Sequence, residues 1–276
     1  MCDTCGCNVT PGNEHLVAAG GHLAKTSSGN ESVEVLKGLL DANDHQAAHN
    51  REHFERHNAL AINLMSSPGA GKTALLEASI EAAKEGLRFA VIEGDLETEN
   101  DADRIRARGV PAVQITTGTA CHLDAHLVHD GVHHLDLDAL DLVFIENVGN
   151  LVCPASFDLG QHINVALLSV TEGDDKPAKY PVMFRAADTV LISKTDLLAV
   201  LDDFAPEAAE NAVRALASEA PVLQVSARAE GGLEPWLSWL EVALSRPRTD
   251  LASGRSRRPA VQPEGAVLHA AGEGGA

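Results

Sequence analysis

The segment that most constrains the fold is Ser66-Ser67-Pro68-Gly69-Ala70-Gly71-Lys72-Thr73. It directly follows the apolar run 62–65 and directly precedes a helical pattern in which Leu76, Ile80, Ala83 and Leu87 share one face. A strand that passes through a glycine-rich turn into a helix aims backbone N–H groups and the positive end of a helix dipole at one point. That geometry cradles phosphate oxygens. In this frame the amides around Ser67, Gly69, Ala70 and Gly71 line the cradle, Lys72 reaches β- and γ-phosphates, and Thr73 holds Mg²⁺. The pattern G-x-x-x-x-G-K-[ST] has glycine where this chain has Ser66.

Six further apolar runs, at 89–92, 112–115, 142–145, 165–170, 190–192 and 222–225, alternate with helical patterns. They are continuous rather than alternating, as expected of strands covered on both faces. The expected fold is therefore α/β, a P-loop NTPase with a doubly wound, mostly parallel sheet, helices on both faces and ligands at the carboxyl ends of the strands. Only 3% of the residues are aromatic against 45% hydrophobic, so its core is aliphatic. Residues 1–30, rich in Gly, Ser, Thr and Asn, read as a flexible metal-binding arm; 31–245 reads as the folded domain. From Arg246 onward an Arg/Ser/Pro stretch gives way to Gly and Ala, so 246–276 reads as a disordered tail.

The charge balance of 21 Lys+Arg against 40 Asp+Glu, a net −19, excludes nucleic acid and membrane-surface partners, both of which need a basic face. No apolar run approaches the roughly 20 residues of a spanning helix, so membrane insertion is not expected. Met1 to Cys7 lacks the basic and apolar segments of a secretory leader, and a cytoplasmic protein is expected.

Beyond the phosphate loop, several acids and glycines follow apolar runs. Asp95 ends Glu93-Gly94-Asp95, and Glu146 ends the run 142–145 with Gly149 three residues later. A strand-end acid orients Mg²⁺ or water, and a glycine N–H there senses a γ-phosphate. Ser193-Lys194-Thr195-Asp196 and Ser226-Ala227 each follow a further run. In order, these segments match the box series of GTP-binding proteins, in which Lys194, Ser226 and Ala227 frame the base. Asp196 accepts paired hydrogen bonds from guanine N1 and N2, which adenine lacks. Ser193 stands where asparagine is commoner, so one loop or base contact is weakened or remade. Catalysis falls to Lys72, Asp95 and Glu146, with Thr73, Asp95 and Glu146 around Mg²⁺. No arginine finger or catalytic glutamine is visible in the switch segments, so unassisted turnover is expected to be slow, by about 10³–10⁵ relative to assisted enzymes.

Other residues suit metals. Cys2, Cys5 and Cys7 place three thiolates in one short turn, needing a fourth ligand from the Cys2 α-amino group after loss of Met1, or from His15. Cys121-His122 is expected to open a helix, and Cys153 lies four residues beyond Gly149, so a switch between GTP and GDP moves a thiolate relative to Cys121-His122. Two histidine stripes complete the set: His45, His49, His53 and His57, and then His122, His126, His129 and His133. At i, i+4 spacing such pairs chelate transition metals. The second stripe is either a metal track to Cys121-His122 or, like the first, a solvated polar face.

In these motifs the chain resembles the hydrogenase nickel-incorporation GTPase family (HypB), through 66–73, 93–95, 118–124, 146–158, 169–181, 193–197 and the N-terminal cysteines. The resemblance implies hydrolysis of GTP to GDP with Mg²⁺ and gated nickel delivery during maturation of [NiFe]-hydrogenase. It implies a high-affinity Ni²⁺ site at Cys2, Cys5 and Cys7, and a Ni²⁺ or Zn²⁺ site at Cys121, His122 and Cys153. It further implies a homodimer when GTP is bound, formed near Gly173-Asp174-Asp175-Lys176-Pro177. The partners it implies are a nickel-hydrogenase maturation protein and the hydrogenase large subunit. Two alternatives compete: a urease-accessory type of nickel GTPase, and a nickel buffer or storage protein with a vestigial nucleotide domain. The cysteine arm and Asn147-Val148-Gly149-Asn150-Leu151-Val152-Cys153 favour the hydrogenase reading, and the intact Gly71-Lys72-Thr73 with Asp196 argues against a relic.

Overall fold

Each of the seven apolar runs forms a strand in the computed structural model, which describes residues 31–83, 87–95, 100–118, 120–216, 218–252 and 256–259. A long helix, α1 (Glu31–Arg56), leads into β1 (Leu60–Ser66), α2 (Lys72–Ala82), β2 (Phe89–Asp95), α3 (Asn100–Arg106), β3 (Ala112–Thr116) and α4 (Ala125–Val132). The chain continues through β4 (Leu142–Glu146), β5 (Ile163–Ser169), α5 (Lys176–Lys179), α6 (Pro181–Ala186), β6 (Thr189–Ser193), α7 (Pro206–Ala215), β7 (Val222–Gln224) and α8 (Glu234–Ala252). All strands are parallel, in the order β3-β2-β4-β1-β5-β6-β7. Because β4 is inserted between β1 and β2 and the later strands add on the far side of β1, connections leave the centre in both directions. The carboxyl ends of β1 and β4 border the crevice where such sheets bind ligands.

Alternate strand residues supply the two faces. Leu60, Ile62, Leu64, Leu142 and Phe144 pack with Leu75 and Leu76 of α2 and with Trp236 and Leu240 of α8. The indole N–H of Trp236 donates to Ser79 Oγ at 2.9 Å and pins α8 to α2. On the other face Ala90, Ile92, Val143 and Ile145 meet Leu127, Val128 and Val132 of α4 and Phe54 of α1. Met65, Ala166, Leu168 and Ile192 continue that layer beneath α6 and α7.

The buried face of α1 is unusually polar: Asn43, Ala47, Asn50, Arg51 and Phe54 are all covered. Arg51 Nη2 donates to both oxygens of Asp158 at 2.7 and 2.8 Å, and Asn50 Nδ2 donates to the carbonyls of Ala125 and Leu159. These bonds satisfy groups whose burial is otherwise costly. They tie α1 to α4 and to the loop entering β5.

Two expectations change. The tail drawn from residue 246 begins later, because α8 runs to Ala252, Arg257 Nη1 donates to the Ala243 carbonyl at 3.1 Å, and Ser256 hydrogen-bonds Glu55. Polar contacts and the burial of Pro259 hold 256–259, a stretch that composition read as unable to order. Cys121-His122 does not open a helix: Asp124 accepts from Leu127 N at 2.9 Å and caps α4, leaving the pair in the preceding loop. Cys2, Cys5 and Cys7 lie outside the described residues, as do His15 and His22. No helix among the described residues is long and apolar enough to cross a membrane.

Candidate nucleotide and metal site

β1 is buried along its whole length and delivers the phosphate loop to the crevice. Gly69 (φ 76°) and Gly71 (φ 101°) take left-handed backbone conformations, and Gly71 caps α2 without a side chain. Lys72 is buried, with its Nζ 3.1 Å from Ser66 Oγ and 4.0 Å from Glu146 Oε1. Ser66 thus supplies the ammonium with a partner. Thr73 Oγ1 donates to Glu146 Oε1 at 2.9 Å, joining loop to β4. Ser67 Oγ is buried with no partner. Ala70 is fully buried at the loop's base. Gly149 presses on the loop: a Cβ there falls 2.7 Å from Pro68 Cα, so only glycine permits this approach.

A further acid stands beside Glu146. The β2–β4 register sets Glu93, not Asp95, opposite Glu146, and Glu93, Asp101 and Glu146 bring carboxylate oxygens within 4.8 Å of one another. Asp95 ends β2, where its backbone carbonyl accepts from Thr117 N. Glu93 and Asp95 share a strand face; the sequence reading named Asp95 alone, and the insertion of β4 beside β2 adds Glu93.

Burial, reinforced by the neighbouring Glu146 charge, pushes the Glu93 carboxyl up to about 11, and burial raises Glu146 as well. Each retains a buried oxygen without a partner. Two buried carboxyls that cannot both ionise unaided, beside a threonine hydroxyl, fit a hard divalent cation such as Mg²⁺. With a folded value near 11 against 4.5 unfolded, Glu93 lowers stability progressively as pH rises between those limits. A Glu93→Gln variant without Mg²⁺ is therefore expected to melt at least a few degrees above the parent at pH 8 and closer to it at pH 5. Added Mg²⁺ should stabilise the parent more. Melting curves across pH with and without Mg²⁺ check this; a pH-independent gap counts against it.

Across the loop, a cleft of about 270 Å³ is bordered by Gly71, Ser193, Lys194, Asp196 and Ala227. Asp196 Oδ1 accepts from Ser226 Oγ at 2.6 Å, and Ser226 Oγ in turn accepts from the backbone N–H groups of Arg228 and Ala229. The carboxylate is thereby aimed. Lys194, at φ 60°, sends its Nζ to the Gly69 carbonyl at 2.7 Å, and Ser193 Oγ donates to the Ala70 carbonyl at 2.7 Å. The loop contact at Ser193 is remade with a hydroxyl.

Cys121, His122 and Cys153 come together from two loops, with ligand atoms within 4.8 Å of one another. Cys121 Sγ lies 3.8 Å from His122 Nδ1. His122 is fully buried, stacked on Phe157 with centroids 4.0 Å apart, and its Nε2 has no partner. The Cys153 thiol hydrogen-bonds Cys121 and lowers its pKa to about 7, while the same contact pushes Cys153 up to about 12. The pair therefore holds one shared proton near neutrality, which an incoming ion displaces. Two thiolates and an imidazole suit a borderline-soft divalent ion.

The side chain between the two sites is Asn147, which the sequence reading placed within the 146–158 motif without giving it a role. It follows Glu146, is 1% exposed, and its Oδ1 accepts from Leu123 N at 3.1 Å and Val148 N at 3.0 Å. Its Nδ2 donates to Asn63 Oδ1 at 3.2 Å. One carboxamide therefore holds both the Cys121-His122 loop and the segment that leads from Glu146 to Cys153. Its signals in the sequence were its place in that motif and a polar residue at the end of an apolar strand.

Comparison with known proteins agrees with this geometry. The family described as "CobW/HypB/UreG, nucleotide-binding domain" matches residues 60–224. A hydrogenase maturation factor HypB of Azotobacter vinelandii is 53% identical over 209 residues, 76% of this chain and 69% of that protein. The factor of the same name from Escherichia coli K12 is 49% identical over 223 residues, 81% of this chain and 76% of its own. Among solved structures, HypB from Helicobacter pylori in complex with nickel superposes with a TM-score of 0.71 at 42% identity, covering 76% of this chain and 97% of that one.

Proposed function

The chain belongs to the HypB family of hydrogenase maturation factors, and on that premise we propose that it is a GTP-hydrolysing nickel carrier whose nucleotide state sets the grip of Cys121, His122 and Cys153 on the metal. The observation that carries the reading is the Asn147 carboxamide, hydrogen-bonded to both the metal loop and the segment after β4.

GTP enters with its phosphates in the 66–73 loop and its base beside Asp196 and Ala227. Thr73, Glu93 and Glu146 would hold Mg²⁺, which neutralises charge on the β- and γ-phosphates. Lys72 leaves Ser66 for the phosphates, and with the loop amides stabilises the transferring phosphoryl group as water attacks and GDP departs with the bridging oxygen. Gly149, pressed against Pro68, offers its N–H to the γ-phosphate. Phosphate release removes that acceptor and frees the segment that carries Cys153. Because Val148 and Leu123 share one carboxamide, the displacement also reaches Cys121-His122, and the three ligands change their spacing.

Two observations support the nickel assignment: the donor set itself, and the Helicobacter pylori relative, whose crystal structure is a complex with nickel. Zn²⁺ as a competing ion, a GTP-dependent pairing of two copies, a nickel-hydrogenase maturation partner, the hydrogenase large subunit as recipient and residence in the cytoplasm complete the proposal.

The test is an anaerobic equilibrium titration with Ni²⁺ on the full chain carrying Cys2→Ser, Cys5→Ser and Cys7→Ser, once with GDP and once with a non-hydrolysable GTP analogue. Nickel affinity is expected to differ by about fivefold or more between the two states, with the same factor appearing reciprocally in nucleotide affinity. Equal affinities would falsify the gating.

A further inference from the structure

The two histidine stripes meet. α1 lies alongside α4, and the imidazole rings form a continuous chain across the boundary: His57 to His53 at 5.2 Å between centroids, His53 to His133 at 6.0 Å, His133 to His129 at 4.4 Å and His129 to His49 at 5.1 Å. None of these residues belongs to the nucleotide site or to the Cys121/His122/Cys153 cluster.

The ring nitrogens are arranged as ligands. Asn50 donates through its Nδ2 to the carbonyls of Ala125 and Leu159, which fixes its Oδ1 as the acceptor facing His129 Nδ1 at 3.1 Å. His129 Nδ1 therefore carries the proton and its Nε2 carries the lone pair, the arrangement typical of metal-ligating histidines. That Nε2 lies 3.0 Å from His133 Nε2, on the next helical turn. Two nitrogens bound to one metal at about 2.0–2.1 Å and at right angles are separated by about 2.9 Å, so the spacing of this pair matches adjacent ligands of an octahedral ion, the paramagnetic geometry that imidazole and water donors give Ni²⁺. Nearby, His53 Nδ1 is buried and has no hydrogen-bond partner. At the far end of the chain, Asp138 Oδ1 accepts from His57 Nδ1 at 2.7 Å and leaves that ring's Nε2 available. Burial first, and then the neighbouring imidazoles, hold His53 and His129 below the usual histidine range, in the neutral form. A net charge of −19 draws cations to the surface.

We propose that His129 and His133 of α4 form a separate imidazole chelate for a borderline divalent transition-metal ion, whose remaining positions water fills or, after rotation of their rings, His49 and His53 of α1. Half-exposed and without thiolates, it binds more weakly and exchanges faster than the cysteine clusters. It rests on side-chain geometry alone and is independent of the gating mechanism above.

The experiment is a Ni²⁺ titration of the full chain by equilibrium dialysis. Thiolate sites are followed separately through sulfur-to-nickel charge-transfer absorption, and imidazoles through paramagnetic broadening of their ring NMR signals. The unmodified chain is expected to bind one equivalent more than a His129→Ala/His133→Ala variant, which keeps its charge-transfer absorption and its GTP turnover. His133→Ala alone, at an exposed position that leaves the fold intact, is expected to weaken that equivalent at least tenfold. The ring signals of His129 and His133 should broaden in the unmodified chain while those of His45 persist. Unchanged stoichiometry and affinity in His133→Ala, or sharp His129 and His133 signals at saturation, would overturn the site and leave the His129–His133 contact a hydrogen bond only.

Discussion

An Asp196→Asn variant is expected to lose GTP binding by up to about 10⁴-fold and to accept xanthosine triphosphate in its place. Asp196 presents a carboxylate with no donor, so it pairs with guanine through two N–H groups, those on N1 and N2. Asparagine keeps one acceptor but points an NH₂ where guanine also has NH₂, leaving two donors facing each other without an acceptor. Xanthine carries a carbonyl at that position and restores both hydrogen bonds. Sites whose aimed polar groups become buried under the ligand discriminate by about 10⁴–10⁵ because a mismatch leaves those groups unpaired; Asp196 is exposed in the open cleft and is covered by the base itself. The aiming is visible here: Ser226 Oγ donates to Asp196 Oδ1 at 2.6 Å while accepting two backbone N–H bonds of its own. The hydroxyl can still donate to the asparagine Oδ1, which fixes the amide orientation that xanthine needs. Competition binding with GTP, ATP and xanthosine triphosphate checks the expectation. Retained GTP preference in the variant would place the base elsewhere than the cleft beside Asp196.

How much of this was legible beforehand depends on the kind of interaction. The five inner strands, buried on both faces, show as uninterrupted apolar runs, and the half-covered edge strands β3 and β7 keep the same pattern, so all seven were visible, and the phosphate loop announced itself through Gly71-Lys72-Thr73 between β1 and α2. Strand order was not visible, because it is set by which way each connection crosses the sheet. That is why spacing points to Asp95 alone while the β2–β4 register adds Glu93 beside Glu146. The polar face of α1 carried no sequence signal. Asn50 and Arg51 belong to no motif, yet they are buried and satisfied by carbonyls and a carboxylate more than 70 positions away. The histidine stripes were visible one at a time, and only the packing of α1 on α4 brings them together. Cys121, His122 and Cys153 were found because their neighbours in sequence are switch residues, while Asn147 lies inside the same motif with nothing in its spacing to show that it bonds both loops.

Replacing Asn147 by Ala is expected to have the largest effect on the coupling between nucleotide and nickel. The change strips the acceptor from two backbone N–H groups, those of Leu123 and Val148, and the donor from Asn63, all in a region where Asn147 itself is 1% exposed. Each buried group left unpaired costs about 1–3 kcal/mol, so the variant should lose about 3 kcal/mol or more and melt about 6–12 °C lower. Stability alone does not establish a coupling role, since any buried asparagine of this kind stabilises the fold. The discriminating comparison is Asn63→Ala, which removes the next member of the network while leaving the Leu123 and Val148 bonds in place. Both variants should melt lower. If Asn147 transmits the nucleotide state, Asn147→Ala brings the ratio of nickel affinities with GDP and with a GTP analogue close to one, whereas Asn63→Ala keeps most of it. If both variants lose the ratio equally, the effect follows general loosening of the β4 end. If both keep it, the nucleotide signal reaches the metal through Cys153 alone, because that ligand rides on the segment after Gly149 and needs no intermediary.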